Sequence, residues 1–312
     1  MYNCKVLMYH RVEAASLVSG RFEKVISADD FERQIKYLTE RFKVISLDEF
    51  LIHVENRQSF KSRCILLTFD DGMASFYDIV FPVLKKYHIS ATVFLSTAFI
   101  GKDKAFWWEE LYRYLSETKL ENFKFNGQAV NLKNQVQAFQ RLASILEGLT
   151  LPELSLALDA LRSGLKVNTN EGGRSILDWQ EIKKMSEDGI TFGAHTHNHV
   201  NLANMDPEEA RNEIALSKTI IEDKLGIAPK VFAYPYGRRD NFNKIHEQIL
   251  KELGFKVAFT AVWESSLKGK NPMQIGRITI SGRDNFNTFK TKVITGSRFK
   301  TKLAALTSNA IN

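Results

Sequence analysis

Two adjacent carboxylates, Asp70 and Asp71, close the apolar run "CILLTF" and are followed at once by Gly72. Further on, "HTHNH" places His195, His197 and His199 close together. Carboxylate and imidazole are the usual ligands of a divalent metal such as zinc, and three protein ligands leave a position open for water. Two carboxylates this close resist ionising together unless a cation stabilises them. One aspartate on a metal and the other free as a general base resolves that conflict, and the chemistry it sets up is hydrolytic attack on a carbonyl. Gly72 lets the backbone turn tightly there. His195 and His199 are four apart, as on one helical turn, whereas an extended chain would point His197 along with both; spacing alone does not choose two of the three.

Groups of this kind need rigid elements to hold them. In parallel α/β folds they gather at the C-terminal ends of strands. Four strand-like runs here end in polar groups: Tyr9-His10 after "CKVLM", Asp70-Asp71, the histidine cluster after "GITFGA", and Tyr234-Pro235-Tyr236-Gly237 after "KVFA". Helical patterns fill the intervals. Ser27 with Asp30 marks a helix start, and Phe31, Ile35, Leu38 and Phe42 follow at helical spacing. Ser46 and Glu49 form a capping pattern, and further helices are expected near 75–87, 179–188, 207–225 and 241–253. With the strands "SATVFLS", "KVAFTA" and "QIGRITI", these repeated β–α units argue for a parallel sheet, open or closed into a barrel. Residues 101–173 break the rhythm and read as an inserted, mainly helical subdomain. It contains the hairpin "FKFNGQAVNL", whose Asn126-Gly127 suits a type I′ turn, and it opens on Trp107 and Trp108, read as packing against the main domain or as a wall for a ligand.

"TFDDG" paired with "HTHNH" resembles the polysaccharide deacetylase family, the NodB-like enzymes of carbohydrate esterase family 4. "LDWQEIKKMSEDGITFGAHTHNHVNL" resembles the segment leading into the family's histidine motif, and "FAYPYG" its Arg-x-Pro-Tyr motif. "LMYHRV" resembles the opening of a branch with an N-terminal Tyr-His. The resemblance covers roughly 4–100 and 174–280 and implies a distorted (β/α) barrel. Deacetylase-barrel segments are expected at 1–100 and 174–285, the insert at 101–173 and a basic C-terminal tail at 286–312. It further implies Asp71, His195 and His199 as metal ligands, Asp70 as general base, His197 as a spacer, and the backbone N–H of Tyr236 at the oxyanion. Two departures stand out. Tyr234 replaces the motif arginine that helps to hold the base, and Arg277 is the candidate substitute, with Arg174 and Arg238 behind it. The usual C-terminal Leu-x-His is absent, and His10 matches the histidine that the permuted branch supplies as general acid. Asp178 matches the family's Asp-Trp motif but also stands as a helix N-cap.

The expected reaction is metal-dependent removal of an N-acetyl group from an N-acetylated sugar of a polysaccharide or glycolipid precursor, with Zn2+ the first ion to test. Rival readings are O-deacetylation, deformylation of a lipid-linked amino sugar, or a catalytically silent carbohydrate-binding module. The 312 residues are 44% hydrophobic and 25% charged, which fits a globular protein with a sizeable core. There is no long apolar run of membrane-spanning type, and the first residues lack the pattern of a signal peptide, so a cytoplasmic location is the default expectation. Cys4 and Cys64 lie in strand-like runs and read as buried apolar residues. The net charge of +7 comes without the basic and stacking pattern of a nucleic-acid module. It is partly local: no acidic residue follows Asp284, whereas Lys290, Lys292, Arg298, Lys300 and Lys302 do. That tail reads as a solvated terminus or as a contact with anionic lipid headgroups at the inner face of a membrane.

Overall fold

The computed structural model describes residues 4–14, 25–102, 104–168, 174–264 and 271–296. In chain order the first elements are β1 (Cys4–Tyr9), β2 (Val12–Glu13), β3 (Ile26–Ser27), α1 (Ala28–Arg41), β4 (Lys43–Val44), α2 (Leu47–Glu55) and β5 (Cys64–Phe69). A π-helical turn, Phe76–Val80, runs into α3 (Phe81–Lys86), followed by β6 (Thr92–Leu95). Next come α4 (Trp107–Glu117), β7 (Asn122–Phe125), β8 (Gln128–Asn131), α5 (Gln135–Leu146) and α6 (Leu151–Gly164). The chain continues through α7 (Trp179–Glu187), β9 (Thr191–Ala194), α8 (Pro207–Leu225), β10 (Val231–Ala233), α9 (Lys244–Glu252), β11 (Val257–Phe259), β12 (Ile278–Thr279) and α10 (Phe286–Thr295). No helix among the described residues is long and apolar enough to cross a membrane.

The main sheet is parallel, in the order β11-β10-β9-β6-β5-β1-β12, with β4 also on β5. Every residue of "CILLTF" is buried, as a strand covered on both faces requires. The sheet curls until its ends approach. Ile275 bridges to Phe259 of β11, and three residues later Ile278 pairs with Leu7 of β1. A barrel-type parallel sheet results, closed through that last, mostly irregular segment rather than by the long strand that "QIGRITI" suggests. Register does the positioning. β1 and β5 pair in step from Cys4↔Cys64 to Tyr9↔Phe69, so His10 and Asp70 leave their strands side by side. Leu95↔Ala194 and Phe232↔Ala194 bring the ends of β6, β9 and β10 to the same edge.

Local chemistry explains the helices around this sheet. The Ser27 side chain accepts from Asp30 N–H at the start of α1, and Phe31, Ile35 and Leu38 then bury completely on one face. Each such burial stabilises the fold by about 1.5–3 kcal/mol. Asp206 caps α8, Pro207 occupies its first turn, and Gly226 ends it at φ 71°. Cys4 and Cys64 are free thiols, both buried.

The segment between β6 and α7 packs around a cluster of its own, running from Leu111 and Leu115 through Phe125 and Leu142 to Leu161 and Leu165. Its hairpin turns at Asn126 (φ 48°) and Gly127 (φ 75°), the two positive angles of a type I′ turn. The stretch expected to begin a tail at 286 instead forms α10. Phe289 and Val293 are buried in the main core, and Lys5 Nζ donates to the carbonyls of Val293 and Ile294 at the helix end. Phe289 and Val293 are one helical turn apart, and that apolar pair outweighs the surrounding lysines. Arg298, Lys300 and Lys302 lie outside the described residues.

Candidate active site and metal centre

Asp70 sits at the end of β5, buried, with its N–H donating to the Tyr9 carbonyl. Arg277, 0% exposed, donates from both terminal nitrogens to the two Asp70 oxygens, each at 2.7 Å. The same guanidinium donates to Thr260 O (3.0 Å) and Thr68 Oγ1 (3.2 Å), so its plane is fixed. Burial favours the neutral Asp70 acid, but the charge of Arg277 and its hydrogen bonds outweigh it and hold the carboxyl below its usual range. His10 Nε2 stands 4.0 Å from Asp70 Oδ2, and its side chain is 44% exposed toward the opening. Arg174 and Arg238 are elsewhere: Arg174 pairs with Asp78 and Glu181, and Arg238 with Glu147 and Asp240.

Asp71 faces the histidines instead. Its Oδ1 lies 3.5 Å from His195 Nε2 and 3.4 Å from His199 Nε2, and one ligand atom from each residue falls within 4.8 Å of the others. These distances are long for hydrogen bonds. A tetrahedral ion with bonds of about 2.1 Å would set its ligands about 3.4 Å apart, so the spacing fits a metal. The protonation pattern fits as well. His195 Nδ1 lies 2.7 Å from the Ala233 carbonyl, which can only accept, so Nδ1 carries the proton and Nε2 keeps its lone pair. Burial holds His199 toward the neutral, ligating form.

Unusual backbone delivers these groups. Asp71 (φ 78°), Thr196 (φ 61°), His199 (φ 53°) and Tyr236 (φ 59°) are four of the eight non-glycine residues with positive φ among those described. Each costs about 1–2 kcal/mol, so half of this strain is concentrated at one edge of the sheet. Gly72 (φ 72°) extends the turn, and a Cβ there would stand 2.9 Å from Leu95 Cδ2. The histidine loop is held by a residue that sequence reasoning missed. Glu213, buried on α8, accepts the N–H groups of His197 (2.9 Å) and Asn198 (2.8 Å) on one oxygen and the Asn198 side chain (2.7 Å) on the other. A glutamate in mid-helix carries no motif, and only the packing of α8 beside β9 reveals it. His197 turns away from the ligands and shares a hydrogen bond with Thr97 Oγ1 at 2.8 Å. Asp178 caps α7, accepting from Gln180 and Glu181 N–H.

Around these groups is a cavity of about 590 Å³, lined among others by His10, Asp70, Asp71, His195, His199 and Tyr236. The Tyr236 hydroxyl accepts from Trp107 Nε1 at 3.1 Å, and burial pushes its pKa up. The Tyr236 N–H has no acceptor among the described residues. Tyr234, in the place of the motif arginine, donates to Met273 O and stacks on Phe242 with ring centroids 4.1 Å apart. Trp108 packs against His199 at 4.7 Å. The structure thus brings His10, Asp70, Asp71, His195, His199, Tyr236 and Arg277 to one cavity.

Such a set, an Asp-His-His metal cradle beside a second buried aspartate on a curled parallel sheet, defines a class of metal-assisted hydrolase. A family model described as polysaccharide deacetylase matches residues 57–258, and the chain belongs to that family. The poly-β-1,6-N-acetyl-D-glucosamine N-deacetylase of Staphylococcus aureus (strain MRSA252) is 25% identical over 297 residues, covering 88% of this chain and 78% of that protein. Two solved structures share the fold. The Streptococcus pyogenes deacetylase PplD, in complex with acetate, gives a TM-score of 0.64 at 20% identity over 93% of this chain and 98% of that one. IcaB from Ammonifex degensii gives 0.63 at 21% identity over 95% and 97%.

Proposed function

We propose that this protein hydrolyses N-acetyl groups from an N-acetylglucosamine polymer, using a divalent ion, zinc first, held by Asp71, His195 and His199. The observation that carries the reading is the division between the two aspartates: Asp70 on Arg277 beside His10, and Asp71 with the two histidines. The similarity to the S. aureus poly-β-1,6-N-acetyl-D-glucosamine N-deacetylase supports the choice of substrate.

When bound, the ion supplies Lewis-acid polarisation of the acetamide carbonyl and lowers the pKa of water. The remaining work falls to this chain. Asp70, kept ionised by Arg277, accepts the proton of the attacking water. The Tyr236 N–H donates to the oxygen on which charge develops. His10, at the open side of the cavity, protonates the departing amine. Trp108 and Phe106 pack against His199 and keep bulk water from that ligand.

The test is acetate release from N-acetylglucosamine oligomers by zinc-loaded protein. Asp70→Asn is expected to lower turnover by about 10²–10⁴-fold while the bound zinc is retained. Full turnover in that variant refutes the assignment of the base.

A further inference from the structure

The inserted subdomain reaches the cavity with Trp107, Trp108 and Glu109 from the first turn of α4 and with Phe139, Gln140 and Glu147 at α5. The two tryptophans differ in what they touch. Trp108 lies flat on Phe106 (4.4 Å, 8° between planes) and edges His199, which places it in the packing around the metal cradle. Trp107 stands at 87° to it and is partly exposed, with its one polar atom donating to Tyr236 Oη. Its remaining cavity surface is apolar and aromatic.

The wall that carries it is fixed on both flanks. Glu109 pairs with Arg11 at 2.5 Å, next to β1, and Glu147 pairs with Arg238, after β10. Asn204 adds a hydrogen bond to Gly148 O at 3.4 Å. A held aromatic face loses little entropy on binding. A pyranose ring offers a matching surface, because its axial C–H groups form an apolar face that packs on an aromatic ring. The cavity of about 590 Å³ is of the scale that takes drug-sized ligands, larger than one monosaccharide.

We propose that Trp107 is the stacking platform for the sugar residue next to the one that is deacetylated, which makes the insert the part of the chain that measures substrate length. The proposal rests on the deacetylase reading above. It is tested by comparing kcat/KM for N-acetylglucosamine and for its pentamer. The pentamer-to-monomer ratio is expected to fall about tenfold in Trp107→Ala and in Trp107→Leu, and to stay within about twofold in Trp107→Phe, which keeps an aromatic face. Trp107→Leu keeps apolar bulk on the insert's core, so loss of folding does not imitate the result. An unaltered ratio in both variants overturns the proposal. Pentamer binding to Asp70→Asn, with and without Trp107→Leu, is measured by calorimetry as a second readout. Binding about tenfold weaker in the double variant supports the platform, and equal binding overturns it even if the protein releases no acetate from either sugar. Absence of acetate release from the wild type counts against the reaction alone.

Discussion

Replacing Arg277 by methionine keeps most of the side-chain volume and removes the only cation that touches both oxygens of Asp70 among the described residues. The pair is almost wholly buried, with side chains 0% and 4% exposed, so solvent cannot take the arginine's place. Breaking a buried ion pair by removing one partner costs about 3–5 kcal/mol, because the other charge stays behind. With an unfolding entropy of about 2.1 cal/mol/K per residue, a 312-residue chain shifts by about 1.5 °C per kcal/mol, so the melting temperature should fall by about 5–8 °C. Thermal unfolding followed by circular dichroism in the presence of a chelator reads this without a metal contribution. The pH dependence has a definite sign. In the wild type the Asp70 pKa is depressed, so its stabilisation is present at neutral pH and is lost as pH falls through the folded value. In Arg277→Met burial is no longer offset by the guanidinium and that pKa rises, so the deficit is greatest near neutrality and narrows toward acid. Asp70→Asn added to Arg277→Met removes the stranded charge and should recover most of the lost stability. A fall below about 2 °C, or no recovery in the double variant, refutes the account of this pair.

Glu213→Ala leaves the N–H groups of His197 and Asn198 without their acceptor, and zinc affinity in a competition titration should weaken by about 10–100-fold. Glu213→Gln retains an acceptor oxygen and should fall between that variant and the wild type. His199→Ala leaves only two of the three cradle ligands, and elemental analysis after dialysis should find the bound zinc lost, whereas chelation of the wild type should stop acetate release until zinc is restored.

Much of the fold was readable from the chain because its signals are local. "CILLTF" announces a strand buried on both faces, Ser27 and Ser46 announce helix starts, and Asn126-Gly127 announces a hairpin. Contacts between distant segments are a different matter. Arg277 meets Asp70 only because the last segment of the sheet lies against β1, and that topology is what sets it apart from Arg174 and Arg238, the candidates behind it. Composition argued for a tail after 285, since it weighs lysines equally wherever they point; α10 exists because Phe289 and Val293 share one face. Glu213 was illegible for the same reason as Arg277, because its partners are 15 and 16 residues away and its role is visible only in space.

The way the sheet closes also orders events during synthesis. A ribosome that has delivered residues through His199 has made every ligand of the cradle, yet the cation for Asp70 lies 78 positions further on. Ile275 and Ile278 must dock on β11 and β1 before Arg277 reaches its place. Synthesis through His199 therefore supplies the three facing carboxylate and imidazole groups before the cation that partners Asp70, and the Asp70–Arg277 pair forms only when the last segment of the sheet is in place.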